Sequence, residues 1–252
     1  MKKHDEKPIL VVGGGSGIGQ AVSILMGAAG YPVMVGDINK ESAQITAKQI
    51  NDAGGKALWG YVNIAEEATV KAIVEKCEDK FGSLAGACNA AAVSQVGKPL
   101  HEITTEEWDR CHTVNLKGLF FCTKYQVQAM LKSGGGAIVH IASTAGLIGF
   151  ANGAEYCASK AGVLGLIRGT AIDYAEKNIR INGVLPGATL TPMLEKAFGQ
   201  DKKLEQALAA VHPMNRFGKP VEIASCVKWL LSDEASFVTG AAYPVDGGHT
   251  AI

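Results

Sequence analysis

Residues 9–19 read Ile-Leu-Val-Val-Gly-Gly-Gly-Ser-Gly-Ile-Gly, and this stretch decides the fold. The four apolar residues predict a buried strand, the glycines predict a tight turn, and the periodic apolar residues of 21–29 predict a helix. Glycines between a strand and a helix let backbone amides approach a pyrophosphate at the helix N-terminus. A glycine turn alone is a weak signal, and its weight comes from the strand before it and the helix after it.

The same alternation of strand and helix continues along the chain. Further strands are predicted over 32–37, 56–62, 84–89, 137–141, 180–185 and 242–245, and further helices over 41–53, 66–81, 104–131, 154–176, 192–210 and 220–231. This order is typical of a parallel sheet with helices on both faces. Without a linker or an internal repeat, residues 1–252 are predicted to form one Rossmann-like, doubly wound α/β domain of about seven strands, in which residues 190–214 form a helical insert over the substrate.

The composition excludes several classes of function. Formal net charge is zero and the isoelectric point is about 7.0, so no electrostatic attraction to nucleic acid or to an anionic membrane is expected. The six cysteines include no Cys-x-x-Cys pair and no cluster with histidine, which favours reduced thiols and no metal site. Cys157 lies beside Tyr156 and is either a reactive thiol or a small packing residue. Residues 1–7 are charged and lack an apolar signal core, and together with the absence of a membrane-length apolar run they predict a cytoplasmic protein.

An acidic residue ends the second predicted strand. Asp37 lies about 20 residues beyond the glycine turn, where a carboxylate accepts hydrogen bonds from both ribose hydroxyls of a dinucleotide. The same carboxylate repels a 2′-phosphate, and neither residues 13–19 nor Ile38 supplies a cation to hold one. The sequence therefore predicts NAD rather than NADP as cofactor, although Asp37 could also cap the next helix.

The chemical residues follow the fifth predicted strand. Tyr156 and Lys160 are four residues apart and share one face of a helix, and Ser143 lies at a strand end upstream. A phenol has a pKa near 10, so it becomes a base at neutral pH only if nearby positive charge, such as a lysine ammonium, stabilises its anion. Each residue alone has a structural interpretation, and it is their combination in order that indicates acid/base chemistry.

Together these motifs resemble the short-chain dehydrogenase/reductase family along nearly the whole chain. The matching pieces are the glycine turn, Cys88-Asn89-Ala90-Ala91, Asn115, Ser143, Tyr156-x-x-x-Lys160, Pro186-Gly187 with Thr191, and Asp246-Gly247-Gly248. The four-residue Tyr–Lys spacing is that of the ordinary dehydrogenases, whereas enoyl reductases have a longer one. The tail, from His212 onward, resembles NAD-dependent cyclic diol and cyclic alcohol dehydrogenases of this family.

The resemblance implies a role for each matching residue. Tyr156 would be the general acid/base, Lys160 would bind the nicotinamide ribose and lower the pKa of Tyr156, Ser143 would orient the substrate oxygen, and Asn115 would hold a water that links Lys160 to solvent. The implied cofactor residues are Gly13, Ser16, Gly17, Ile18, Gly19, Asp37, Ile38, Val62, Asn63, Asn89, Ala90, Ala91, Tyr156, Lys160, Pro186, Gly187, Thr189 and Thr191. Asn63 stands where the family commonly has an Asp that contacts the adenine.

The predicted substrate pocket is mostly apolar. Its walls are expected to come from residues 94–96, 144–150, 187–188 and the insert around 193–214. The candidate pocket residues among and beside them are Ser94, Gln95, Val96, Thr144, Leu147, Glu155, Met193 and His212. No Arg or Lys precedes the insert in these walls, which favours a neutral, fairly hydrophobic secondary alcohol, diol or ketone of cyclic or bulky shape. Glu155 and His212 could contact a substrate hydroxyl, or could have surface or capping roles.

Three alternative functions remain at this point. A 3-oxoacyl-(acyl carrier protein) reductase has the same catalytic set but prefers NADP, which Asp37 opposes. A sugar dehydrogenase would need a more polar pocket. An NAD(H)-binding sensor without turnover would not need the full set of Ser143, Tyr156, Lys160 and Asn115.

The family resemblance also implies assembly into a homotetramer or homodimer. Pairing would use the helix that contains Asn115 and the helix that contains Tyr156. The small and apolar residues Ala161, Val163, Leu164, Leu166 and Ile167 suit such an interface, and they suit burial in the core equally well.

Overall fold

The computed structural model describes residues 8–251, apart from the side chains of residues 197 and 198. The charged segment 1–7 and residue 252, both within the predicted domain, lie outside the described residues. The strands are β1 (Ile9–Val12), β2 (Val33–Asp37), β3 (Ala57–Tyr61), β4 (Gly86–Asn89), β5 (Gly136–Ile141), β6 (Ile179–Pro186) and β7 (Ala242–Val245). Every one of them was expected from the sequence to within about two residues.

The helices alternate with these strands. They are α1 (Gly17–Ala28), α2 (Lys40–Asp52), α3 (Glu67–Phe81), α4 (Thr105–His112), α5 (Gly118–Ser133), α6 (Ala154–Tyr174), α7 (Pro192–Phe198), α8 (Lys202–Ala210) and α9 (Pro220–Leu231). Within residues 8–251, no helix is long and apolar enough to cross a lipid bilayer.

All seven strands form one parallel sheet in the order β3-β2-β1-β4-β5-β6-β7. The chain builds β1 to β3 outward on one side, then crosses to β4 and builds outward on the other, so the strand order reverses between β1 and β4. At the carboxyl edge of this switch point, Val12 pairs with Gly36 on one side and with Asn89 on the other. Ligands of doubly wound sheets bind at this edge, and the predicted fold class is confirmed.

The sheet is buried on both faces, as its continuous apolar strands predict. In β1, Ile9 and Val11 join one core cluster, to which α1, α2 and α9 contribute. Leu10 and Val12 point to the opposite face and join a cluster with side chains of α3 and α5. A third cluster lies under α6 and contains Val163, Leu164 and Ile167. These three residues therefore pack in the core and are not interface residues.

Three predicted helices differ from the observed ones. Helix α1 begins at Gly17, four residues earlier than expected. The helix predicted over 104–131 is divided by a π-helical turn at Thr113–Lys117. The insert predicted over 192–210 is two helices, because Gly199 has a positive φ of 56° that ends α7 and Asp201 caps α8.

Candidate active site

The glycine turn after β1 is packed so tightly that larger residues would collide with the backbone. A Cβ atom on Gly13, which has a φ of +80°, would lie 2.4 Å from the backbone nitrogen of Ala91, and one on Gly19 would lie 2.0 Å from the carbonyl oxygen of Gly13. Helix α1 starts with no acidic residue in its first turn, and the exposed Ser16 does not cap it through its side chain. Its first backbone N–H groups thus suit an anion such as a pyrophosphate.

Asp37 lies at the carboxyl end of β2 beside this turn. Its Oδ2 accepts a hydrogen bond from the backbone N–H of Gly15 at 2.9 Å, and its Oδ1 accepts one from the N–H of Asn39 at 2.9 Å. The cap of α2 is Asn39, whose side chain accepts from the N–H of Ser42. The interpretation of Asp37 as the helix cap is therefore wrong, and its carboxylate faces the glycine turn as a ribose acceptor would.

Tyr156 and Lys160 lie on the first two turns of α6, against the end of β5. Lys160 is 2% exposed, and its ammonium lies 5.5 Å from the centroid of the Tyr156 ring and donates to the carbonyl oxygen of Ile141 at 3.1 Å. Burial lowers the pKa of Lys160 to about 8. Packing and this one hydrogen bond to the backbone together fix the position of the Lys160 side chain.

Ser143 shares a hydrogen bond with Tyr156, and its Oγ also accepts from the N–H of Ala145 at 3.1 Å. Burial nevertheless raises the pKa of Tyr156 to about 12, although the hydrogen bond with Ser143 acts in the opposite direction. The expected lowering of this pKa is thus not found in the protein alone, because desolvation of the phenolate outweighs the stabilising contacts. The tyrosine holds its proton here.

Asn115 lies in the π-helical turn between α4 and α5 and is fully buried. Its Oδ1 accepts from the N–H of Val93 at 2.8 Å and its Nδ2 donates to the carbonyl oxygen of Val93 at 3.0 Å. The same amide lies 3.3 Å from the Oγ of Ser159, one residue before Lys160. A side chain that spans the segment after β4 and the catalytic helix is placed to order both, and its role in holding a water stays a prediction.

Asn89, predicted on the cofactor side, turns its side chain into the protein. It exchanges two hydrogen bonds with Gln126 of α5, at 2.9 and 2.7 Å, and lies 3.4 Å from the Nδ1 of His140. His140 in turn contacts Thr123 at 3.2 Å, and burial lowers its pKa to about 4. The side-chain amide is thus used to satisfy a buried polar network, so only the backbone of Asn89 is left to line the cofactor site, and that role stays a prediction. The sequence signal for the network was a histidine within the apolar run 137–141.

The neighbouring backbone of Ala90 and Ala91 does reach the glycine turn. Both N–H groups donate to the carbonyl oxygen of Val12, at 2.7 and 3.1 Å. The backbone of Ala90 and Ala91 therefore lies between β1 and β4, directly beside the glycine turn.

The adenine side of the predicted site is formed at the ends of β2 and β3. Ile38 is 62% exposed beside Asp37, whereas Val62 is buried in the core, so that only its backbone can face a ligand. The amide of Asn63 donates to Glu66 at 2.7 Å and accepts from the N–H of Ala65 at 3.1 Å. The oxygen and the nitrogen of the Asn63 side-chain amide are thus both already hydrogen-bonded within the turn before α3.

The segment after β6 links the insert to the glycine turn. Pro186 ends β6, the N–H of Gly187 donates to Val245, and the buried Thr189 donates to the carbonyl oxygen of Gly187 at 3.0 Å. Thr191 caps α7 and lies against Gly17, where a Cβ atom would be 3.2 Å from its methyl group. Ile18, on the other side of the turn, packs against the core.

The predicted substrate walls include exposed apolar side chains on the segment after β5 and on α7. Leu147 is 54% exposed and Met193 is 45% exposed, while Thr144 is buried. The ring of Phe150 lies 6.3 Å from that of Tyr156. Ser94 donates to the exposed side chain of Gln95 at 2.8 Å, and Val96 is partly buried beside them.

Two predicted pocket residues are buried instead. The Nε2 of His212 accepts from the N–H of Ala188 at 3.0 Å, and its Nδ1 lies 3.2 Å from the carbonyl oxygen of Ala209, so both ring nitrogens are used within the protein. Glu155 is 0% exposed and accepts from the N–H of Val96 at 2.7 Å. Neither side chain lies open to a substrate, nor on the surface. Among residues 8–251, no three His, Cys, Asp or Glu side chains are grouped to hold a metal ion.

Comparison with known proteins gives a consistent result over the full chain. A family model described as enoyl-(acyl carrier protein) reductase matches residues 13–250. A 2,5-dichloro-2,5-cyclohexadiene-1,4-diol dehydrogenase from Sphingobium indicum is 45% identical over 253 residues, which cover 100% of both chains. A cyclohexanol dehydrogenase from Acinetobacter sp. is 43% identical over 98% of this chain and 96% of its own.

Solved structures include one with nearly the same backbone. The crystal structure of levodione reductase superposes with a TM-score of 0.95 at 32% sequence identity, covering 99% of each chain. The similarity therefore includes the arrangement of the strands and helices that carry the site.

Proposed function

The chain belongs to the short-chain dehydrogenase/reductase family, and from that membership we propose that it oxidises a neutral cyclic or bulky secondary alcohol or diol to its ketone with NAD, and catalyses the reverse reaction. As a member of this family it is an oxidoreductase that uses a nicotinamide cofactor. The observation that carries the proposal is the contact of Ser143 with Tyr156 above the buried Lys160, at the switch point of the sheet.

The residues at the switch point fit a dinucleotide. The turn leaves no room for a Cβ atom at Gly13 or Gly19, which keeps the backbone open to a pyrophosphate beside the start of α1. The carboxylate of Asp37 supports NAD over NADP, because it would repel a 2′-phosphate. When bound, the nicotinamide supplies the hydride acceptor and donor.

The chain's own residues handle the proton. For alcohol oxidation Tyr156 would first lose its proton to solvent, through the water that Asn115 is predicted to hold, and its phenolate oxygen would then take the hydroxyl proton as the hydride leaves carbon. In ketone reduction the Tyr156 phenol would give its proton to the substrate oxygen. Ser143 donates a hydrogen bond to the substrate oxygen and keeps it next to Tyr156. Lys160, charged below pH of about 8, stabilises the phenolate that oxidation requires, against the burial that raises the pKa of Tyr156 to about 12.

The substrate class follows from the pocket walls and from the relatives. The predicted walls ahead of the insert contain no Arg or Lys, and Lys160 already donates to Ile141, which favours a neutral substrate. The printed activities of the two dehydrogenase relatives concern a cyclic diol and a cyclic alcohol. The family model is described for enoyl reductases, but the four-residue spacing of Tyr156 and Lys160 favours carbonyl chemistry.

The test is NADH formation with a panel of alcohols under NAD and under NADP. We expect cyclohexanol and cyclohexane-1,2-diol to be oxidised with NAD, and comparison with hydroxycyclohexanecarboxylate measures the preference for a neutral substrate. Preferential reduction of 3-oxoacyl thioesters with NADPH, or preferential oxidation of sugars, would support the corresponding alternative enzymes. Tight NADH binding without turnover of any substrate would identify an NAD(H)-binding sensor instead.

We also propose a homotetramer or homodimer in the cytoplasm. An exposed apolar groove between α5 and α6 supports pairing, with Phe120 47% exposed and Leu116 and Leu166 partly buried beside it. The unpaired cysteines agree with a reducing compartment. Light scattering that gives a stable monomer would contradict the assembly.

A further inference from the structure

Glu155 is a buried carboxyl group directly before the catalytic tyrosine. Its side chain is 0% exposed, and its Oε1 accepts a hydrogen bond from the N–H of Val96 at 2.7 Å. Its Oε2 is buried as well and has no hydrogen-bond partner among the described residues. A buried acceptor without a donor destabilises a fold, so the local stability of α6 does not explain a carboxyl group at this position.

The contact that Glu155 makes is with the segment 93–96, here called the substrate-side loop. This loop has no helical or strand hydrogen bonds of its own. At its start, the backbone N–H and carbonyl of Val93 are both bonded to Asn115. At its end, the N–H of Val96 is bonded to Glu155. Two fully buried side chains therefore hold the loop at its two ends, one from the π-helical turn and one from α6.

The helix that holds the Val96 end of the loop is also the helix that carries the catalytic tyrosine. Because Glu155 and Tyr156 are consecutive residues of α6, the position of Val96 and that of the catalytic hydroxyl are set by the same rigid helix. A shift of the loop away from α6 would widen the space beside Tyr156 on the side of Ser94 and Val96. The cofactor side would keep its own anchors, because Ala90 and Ala91 remain bonded to Val12 and Val93 remains bonded to Asn115.

We propose that Glu155 is a positioning residue, which fixes the substrate-side loop against Tyr156 and thereby sets the affinity for the alcohol without affecting cofactor binding. This inference rests on the proposed function for its kinetic part. Its structural part, the anchoring of Val96, can be measured on the protein without any substrate.

The test compares Glu155→Ala with Glu155→Gln and with Asp173→Ala, a control that removes an exposed carboxylate from the same helix. Glutamine keeps an oxygen acceptor for Val96, whereas alanine removes it. For Glu155→Ala we expect amide hydrogen exchange of the loop to accelerate by about tenfold and KM for the alcohol to rise by about tenfold, the size of effect when one buried hydrogen bond is lost. The Kd of NADH should stay within about twofold, and Glu155→Gln and Asp173→Ala should resemble the unmodified protein.

A second variant tests the same contact from the loop side. Val96→Pro removes the donor while leaving Glu155 in place, so it should raise KM as Glu155→Ala does, and the double variant should add little to either. Unchanged loop exchange in Glu155→Ala, failure of Glu155→Gln to restore KM, or an equal rise in KM and in the Kd of NADH would overturn the proposal. If the unmodified protein oxidises no alcohol, the proposed function fails, and the exchange measurement still decides whether Glu155 anchors the loop.

Discussion

Replacing Lys160 by methionine should stabilise the cofactor-free protein while it removes the activity. The lysine is 2% exposed, and its ammonium donates to the carbonyl oxygen of Ile141 at 3.1 Å. Burial lowers its pKa from 10.5 to about 8, which means that the folded protein disfavours the charged form. Methionine has a similar length and no charge, so it should fill the space at a lower free energy.

The magnitude follows from the displaced pKa. At about 1.4 kcal/mol per pKa unit, the change from 10.5 to about 8 corresponds to about 3 kcal/mol of destabilisation by the charged lysine. Loss of the hydrogen bond to Ile141 lowers the stability of the variant by about 1 kcal/mol and so offsets part of this gain. The net gain of about 2 kcal/mol at pH 7 should raise Tm by about 4–8 °C for a chain of this size.

The pH dependence distinguishes this cause from better packing. Because the folded pKa of Lys160 lies below the unfolded one, the unfolded chain binds more protons between pH 8 and pH 10.5, and the stability of the unmodified protein rises over that interval. The advantage of Lys160→Met should therefore be complete below about pH 8 and disappear by about pH 10.5.

Urea unfolding of the cofactor-free protein from pH 6.5 to 10.5 measures the difference directly. Lys71→Met is the matched control, because the Lys71 side chain is 55% exposed on α3 and should change stability by no more than about 0.5 kcal/mol. A Lys160→Met protein less stable than the unmodified one at pH 7, or a difference that does not vary with pH, would refute the reasoning.

Three further substitutions test the site. Tyr156→Phe should lower kcat by about 100- to 10,000-fold without changing the Kd of NADH, and retention of more than about a tenth of kcat would exclude Tyr156 as the acid/base. Asp37→Asn should reduce the preference for NAD over NADP by about tenfold in kcat/KM, because the charge that repels a 2′-phosphate is gone. The control is Asp52→Asn, which removes an exposed carboxylate and should leave the preference unchanged. An unchanged preference in Asp37→Asn as well would contradict the role of Asp37. Gly19→Ala should abolish NADH binding measured by fluorescence, since its Cβ atom would lie 2.0 Å from the carbonyl oxygen of Gly13, whereas Gly169→Ala, with open space around it, should bind normally.

The strands were predictable because each is a short apolar run that ends in glycine, proline or a polar residue. Helix α9 was predicted to the residue, since Pro220 marks its first turn and Ser232 its end. The π-helical turn at Thr113–Lys117 could not be predicted, because the apolar spacing of a helix is nearly the same when one turn is widened by a residue. The break at Gly199 depends on a backbone conformation that the apolar pattern does not report.

Within the candidate site, the hydrogen-bond partners of the side chains were harder to predict from the sequence than the positions of the residues in the chain. Asn89, Glu155 and His212 stand at the expected places in the chain, yet their partners are Gln126, Val96 and Ala188, which lie 37, 59 and 24 residues away. A sequence motif identifies a residue type at a strand or helix end, but the partner depends on how distant elements pack. The glycine turn was easier, because its requirement for small residues is local.

The strand order also has a consequence for how the chain folds during synthesis. Strands β1 to β3 emerge first and can pair at once, which leaves one edge of β1 uncovered until β4, 77 residues later in register, arrives from the ribosome. After that, each new strand pairs with the one made just before it, up to β7 near the end of the chain. Until then the unpaired edge of β1 is the strand edge at which a partly made chain is open to wrong pairing.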